Sequence, residues 1–179
     1  TEQGKVILDL AVSLDGYIEG PNGEIDWCIM EPDMKFTDFL QQIDTIFYGR
    51  KSYELWGNYQ PDTLISKSDQ EMWQLIHEKE KYVFSRKRTD DGVATFINEN
   101  IAAEVKKLKL KPGKDIWLYG GASLIQTFLH LRLIDEFRLS VHPVVLGAGK
   151  PLFSEINNRI NLSLIESRTF SSGVVQLIY

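Results

Sequence analysis

The chain has 179 residues, 43% hydrophobic and 25% charged, the proportions of a globular domain with a sizeable core. A formal net charge of -5 and a pI near 5.3 give no overall attraction to a polyanion, which argues against nucleic acid as a partner and makes any anion site local. The single Cys28 excludes an intramolecular disulfide, no Cys/His cluster has zinc-site spacing, and no apolar run is long enough to span a bilayer, so the expectation is one cytoplasmic domain over residues 1–179, away from membranes.

The first element is a strand from Lys5 to Leu14. Val6, Leu8, Leu10, Val12 and Leu14 alternate with Ile7, Asp9, Ala11 and Ser13, so both faces are largely apolar, as in a central strand. Asp15-Gly16 and Gly20-Pro21-Asn22-Gly23 then crowd turn formers together, and Asp15 to Trp27 reads as a long mobile loop. Phe36, Phe39, Leu40 and Ile43 make the stripe of a helix lying on a sheet. Thr45 to Tyr48 is a short strand closed by Gly49, after which Arg50 to Leu55 begins another helix.

Ser68 with Glu71 forms a capping box for a helix running to about Glu78. Strands follow at Lys81 to Ser85 and Val93 to Ile97, and Asn98 is placed to cap a helix whose inner face is Ile101, Val105 and Leu108 and which Pro112-Gly113 stops. Ile116 to Tyr119 is a buried strand, Gly120-Gly121 a turn, and Leu124, Ile125, Phe128 and Leu129 the core face of the next helix. From Ile134 the pattern becomes strands, at Phe137 to Val145, about Leu162 to Thr169, and Val174 to Tyr179. Alternating strands and helices followed by strands predict an α/β fold with a mostly parallel central sheet and antiparallel C-terminal strands.

In open α/β sheets, ligands bind beyond the carboxyl ends of the strands. Three such positions carry anion-friendly sequences. Gly49-Arg50-Lys51-Ser52 combines a glycine with two cations at a helix start, where a dipole alone gives an anion about 0.3–1 kcal/mol. Ser85-Arg86-Lys87-Arg88 sets a hydroxyl and three cations after a strand. It is either a solvated basic loop or a site for the additional phosphate that distinguishes NADP from NAD. Gly120-Gly121-Ala122-Ser123 is either a tight connection or a place where a pyrophosphate meets backbone amides. All three sequences fall at equivalent strand ends.

The stretches Ala11-Val12-Ser13-Leu14-Asp15-Gly16-Tyr17-Ile18, Gly23-Glu24-Ile25-Asp26-Trp27, Gly120-Gly121, Leu133-Ile134-Asp135-Glu136-Phe137 and Pro143-Val144-Val145-Leu146-Gly147-Ala148-Gly149 carry a resemblance that spans nearly the whole chain. The sequence resembles the dihydrofolate-reductase-like superfamily, and within it the reductase domain of the riboflavin-biosynthesis protein RibD, here without the deaminase domain. The Gly49 to Glu54 stretch looks more like dihydrofolate reductases than RibD domains. The resemblance implies a three-layer αβα fold, NADPH as hydride donor, a homodimer, and a small heterocyclic substrate, with 5-amino-6-(5-phosphoribosylamino)uracil the favourite. It places the nicotinamide near Ala11 and Ile18, the pyrophosphate at Gly49, Arg50, Lys51 and Ser52, and the ribose phosphate at Ser85, Arg86 and Lys87. Gly120, Gly121, Ala122, Ser123 and Leu124 would complete the cofactor site.

Hydride delivery to a C=N or C=O carbon leaves charge on the heteroatom, which calls for an acid nearby. Asp33 roughly matches the substrate-binding carboxylate of dihydrofolate reductases, against an N-cap role; Asp15 is the competing candidate, against a turn role. Trp27 is either a wall of the substrate pocket or a core aromatic. His77, His130 and His142 read as surface or packing residues, Cys28 as a small packed hydrophobe, and Trp56, Trp73 and Trp117 as packing residues. Two further readings stay open beside this one: a dihydrofolate or pteridine reductase, and a non-catalytic NADP-binding module that kept the cleft and lost the chemistry. A ligand-free homo-oligomeric scaffold is the remaining alternative.

Overall fold

The computed structural model describes residues 4–61, 65–87 and 91–179. In chain order the elements are β1 (Val6–Ser13), β2 (Tyr17–Glu19), α1 (Phe36–Gln42), β3 (Ile43–Gly49), α2 (Arg50–Ser52, continued by a π-helical turn Tyr53–Gly57), α3 (Lys67–Glu78), β4 (Glu80–Phe84), β5 (Thr95–Ile97), α4 (Ile101–Leu110), β6 (Asp115–Gly120), α5 (Ala122–His130), β7 (Glu136–His142), β8 (Lys150–Pro151), β9 (Glu166–Thr169) and β10 (Val175–Ile178).

Eight of the strands form one sheet in the order β5-β4-β3-β6-β1-β7-β10-β9. The expected mostly parallel sheet with antiparallel C-terminal strands is present. Antiparallel pairing starts one strand later than the sequence pattern suggests: β7 runs parallel to β1, and β10 turns against it. Strand β1 sits inside the sheet, paired to β6 and β7, and Val6, Ile7 and Leu8 are fully buried. Its alternation serves two cores. Val6, Leu8 and Val12 pack with Val105 of α4 and Ile125 and Phe128 of α5, whereas Ile7 packs with Phe39 and Leu40 of α1 and Ile76 of α3. Helices on both faces make the three layers. Burying each such side chain gives about 1.5–3 kcal/mol, so the two cores together fix the strand order.

Four expectations need correction. Ile43 is buried as the stripe requires but begins β3, because α1 runs into the strand with no intervening loop. Helix α3 is capped by Ser66, whose hydroxyl accepts from Asp69 N, and not by Ser68. Asn100, in a left-handed conformation, precedes α4 in place of Asn98. The segment from Asp15 to Trp27 is tied down: β2 pairs with β8, and Gly149 approaches so closely that a Cβ there would stand 2.2 Å from the Glu19 carbonyl oxygen.

Candidate active site

Register brings the three anion-friendly turns to one end of the sheet. Gly49 lies opposite Phe84, the residue before Ser85, and Tyr48 lies opposite Gly120. Two of the turns touch: a Cβ at Gly49 would stand 3.4 Å from Gly121 N and 3.6 Å from Leu124 Cβ, and one at Gly121 would stand 3.0 Å from Ser52 Oγ. These contacts would admit a Cβ at Gly49 and press one at Gly121 only against the Ser52 hydroxyl, so what the glycines give is open space in which the amides can face a ligand. Helix α5 begins at Ala122 with no side chain capping its first N–H groups, which makes its start a ready anion acceptor. Ala122 and Ser123 lie at this start, while Leu124 is buried and serves the core.

Around this cradle stand Lys51, Arg86 and Lys87, all exposed and none in an ion pair among the described residues. Arg88 lies outside the described residues. Arg50 reaches Glu54 Oε1 at 3.1 Å, and Ser85 Oγ accepts from Lys87 N at 3.2 Å. The donor set therefore fits a dinucleotide: amides and cations for a pyrophosphate at Gly49–Ser52 and Gly121–Ser123, and separate cations for a further phosphate beyond β4.

A cavity of about 130 Å³ lies on the α1 side of the sheet. Its floor is the face of three adjacent strands, with Asp9 and Ala11 from β1, Arg138, Ser140 and His142 from β7, and Gln176 from β10. Cys28, Ile29, Met30, Met34 and Phe36 roof it. A cavity of about 150 Å³ holds one benzene, so this one is sized for a single ring.

Asp9 and Arg138 form an ion pair at 3.2 Å in which each side chain is 12% exposed. The Arg138 guanidinium lies 4.8 Å from the centroid of the Phe39 ring. Burial pushes the Asp9 carboxyl up to about 6, against the lowering pull of Arg138 and with a further push from Glu136. Gln176 is 4% exposed, and its Oε1 has no hydrogen-bond partner among the described residues. His142 is buried and accepts from Ile29 N at Nε2 while its Nδ1 donates to the Ser140 carbonyl, so it holds the roof to the floor.

Of the residues expected around the nicotinamide and the substrate, only Ala11 lines this cavity. Trp27 stands behind His142, edge-on at 5.3 Å, with its indole N–H on the Glu24 carbonyl. Ile18 packs against the core on the opposite face. Asp33 is exposed in the short turn Pro32–Met34, does not cap α1, and is not among the cavity-lining residues. Asp15 accepts from the Ser13 hydroxyl at 2.6 Å, Leu146 N at 3.1 Å and Gly147 N at 2.8 Å. These donors, Ser13 foremost, hold its carboxyl below the usual carboxylate range. Its geometry is that of an acceptor pinning two loops. Cys28, expected to be packed, stands exposed at the cavity rim.

Sequence reading missed Asp9, Arg138 and Gln176. The available signal was Asp9, a charge inside a strand otherwise largely apolar on both faces; Arg138 and Gln176 fall in strands that alternate polar with apolar residues and give no such signal.

The strand order and the two helical layers are those of the dihydrofolate-reductase-like fold. The chain belongs to the RibD C-terminal domain family, whose model matches residues 4–176. It is 65% identical to the uncharacterized protein YyaP of Bacillus subtilis (strain 168), over 99% of this chain and 95% of that one. Among solved structures it is similar to a candidate riboflavin biosynthesis protein from Shewanella sp. PV-4, with 25% identity, a TM-score of 0.79, and coverage of 98% of this chain and 97% of that one. A deaminase/5-amino-6-(5-phosphoribosylamino)uracil reductase from Thermotoga maritima shares the fold at 13% identity and a TM-score of 0.69, over 98% of this chain and 56% of that one. No helix among the described residues is long and apolar enough to cross a membrane.

Proposed function

We propose that this chain is an NADPH-dependent reductase of a small heterocycle, with 5-amino-6-(5-phosphoribosylamino)uracil the first compound to test. The observation that carries the reading is the register that brings the turns at Gly49, Ser85 and Gly120 to one end of the sheet and sets Gly49 beside Gly121. Family membership and the reductase among its structural neighbours support it.

When bound, NADPH supplies the hydride. Lys51, Ser52 and the amides at Gly121 to Ser123 would hold its pyrophosphate, and Arg86 and Lys87 its ribose phosphate. The ring-sized cavity beside Ala11 would receive the substrate, with the Cys28–Met30 strap excluding water from the reacting atoms. His142 keeps that strap in place.

The test is a fluorescence titration with NADPH and NADH, followed by turnover of the aminouracil nucleotide at the NADPH absorbance. NADPH is expected to bind at least about tenfold more tightly, since each charge-assisted contact to the extra phosphate contributes on the order of 1.5–3 kcal/mol. The double variant Arg86→Ala/Lys87→Ala should narrow that gap while leaving NADH affinity unchanged. Equal affinities in the unmodified protein would sink the assignment.

A homodimer is part of the same proposal. Strand β9 is an open edge, and the residues leading into it, Leu162, Leu164 and Ile165, are 43%, 57% and 65% exposed, a surface that a second copy would cover. Sedimentation as a monomer at micromolar concentration would remove it.

A further inference from the structure

We propose that Asp9, tethered by Arg138 on the floor of the ring-sized cavity, is the proton donor of the reduction. This assignment rests on the reductase reading above. It replaces Asp15, whose carboxylate oxygens already accept three hydrogen bonds, and Asp33, which lies outside the cavity lining.

Three observations converge on Asp9. It lines the cavity beside Ala11, two residues along the same face of β1. Among the described residues it is tied to Arg138 through Oδ2 and, through its backbone carbonyl, to the Trp117 indole N–H, which leaves Oδ1 uncommitted. Gln176 Oε1, on the same floor, is buried without a partner. A buried acceptor left unmet costs stability unless something fills it. An N–H of a ring in the cavity would meet Gln176 while the heteroatom of the C=N or C=O being reduced faces Asp9.

The step balances as follows. The substrate carbon takes the hydride pair of the cofactor, and the C=N or C=O π pair moves onto the heteroatom. The Asp9 O–H bond breaks as its proton forms the new N–H or O–H bond, and the carboxylate regains a proton from solvent. Arg138 stabilises the carboxylate in between.

The charged and titratable groups around Asp9 are Arg138, Glu136 and His142 on β7 and Cys28 in the strap; β6 and α1 present Trp117, Phe36 and Phe39, and β10 presents neutral Gln176. Burial against these aromatics keeps the Asp9 carboxyl near 6. That places it within reach of both protonation states at working pH, as a general acid requires.

The first experiment is a carboxyl NMR titration of the wild-type chain labelled with 13C-aspartate and assigned through backbone correlations. Asp9 is expected to titrate near 6; titration near the ordinary value of about 4 overturns the proposal whatever the activity. The second compares wild type with Asp9→Asn, using NADPH and the aminouracil nucleotide. Wild-type kcat/KM should fall above the pKa of Asp9. The variant should lose about 10²- to 10⁴-fold in kcat, lose that pH limb, and keep NADPH affinity by fluorescence titration. A variant retaining kcat within about threefold, or retaining the limb, overturns the role of Asp9 and leaves the reductase intact. Wild-type protein that neither binds NADPH nor turns over overturns the reductase reading itself, and the Asp9 assignment with it.

Discussion

The cradle and the cavity, the cofactor and cavity halves of the proposed site, are built by different means. The cofactor half is made of turns, each a run of three or four consecutive residues that carries its own glycine, hydroxyl or cation. The cavity half has no such run. Its central pair, Asp9 and Arg138, is separated by 129 residues and meets only because β1 and β7 lie side by side in one register. One half is local chemistry repeated at equivalent strand ends, and the other is long-range geometry. They should fail differently when perturbed.

The largest expected effect is in the long-range half. Removing one partner of a buried ion pair typically costs about 3–5 kcal/mol, so Arg138→Met should lower unfolding stability by that order at pH 8. The penalty should shrink at pH 5, because Asp9 can then take up a proton instead of standing as an uncompensated charge. The sign in wild type follows from the raised carboxyl. Between the ordinary value of 3.8 and about 6, the folded protein holds a proton that the unfolded chain has released. Stability contributed by Asp9 therefore falls as pH rises through that window, by up to about 3 kcal/mol at about 1.36 kcal/mol per pH unit. Asp9→Asn should flatten this slope in urea unfolding. Arg138→Met should extend it above pH 6, since the charge that lowers the Asp9 pKa is gone. An Arg138 variant equally destabilised at pH 5 and pH 8 would show that the pair is not what orders the cavity floor.

The next effect belongs to the local half. Gly49→Val places methyl groups where the amide of Gly121 is open, and φ at Gly49 is an ordinary -74°, so the backbone itself is not strained. NADPH affinity is expected to fall at least about 100-fold, a loss of about 2.7 kcal/mol, with a much smaller change in unfolding midpoint. If affinity and stability fell together, the cradle would be a packing feature of β3 and α5 and not a ligand site.

How much could be read in advance follows the same division. The double apolar face of β1, the stripe of α5 and the three strand-end turns are periodic or contiguous, so they show in the sequence without any knowledge of tertiary contacts. The pinning of β2 by β8 and the role of Asp15 could not be read that way, since their partners at Leu146 to Pro151 lie more than a hundred residues away. The case for Asp33 rests on its rough match to the substrate-binding carboxylate of dihydrofolate reductases. In the fold that segment turns its carboxylate outward and gives the cavity Met34 and Phe36 instead. Asp9 shows in the sequence only as one member of the β1 alternation, and its meaning depends on Arg138 and Gln176 arriving from two other strands.

The smallest effect tests whether the cofactor half is poised for an anion or merely basic. Arg50 is the one cation of that half with a partner among the described residues, Glu54 one helical turn away, and the two side chains are 38% and 59% exposed. Exposed pairs of this spacing contribute about 0.3–0.5 kcal/mol, so Glu54→Gln should barely move the unfolding midpoint. The freed guanidinium would then be available to a phosphate at the Gly49 turn, without the cost of leaving Glu54. NADPH affinity should rise by about twofold at low salt, and the gain should vanish at high salt as the charges are screened. A purely basic surface would instead respond alike to NADPH and to inorganic polyphosphate. The built site responds more to the dinucleotide, because only that ligand also engages the amides that Gly49 and Gly121 leave open.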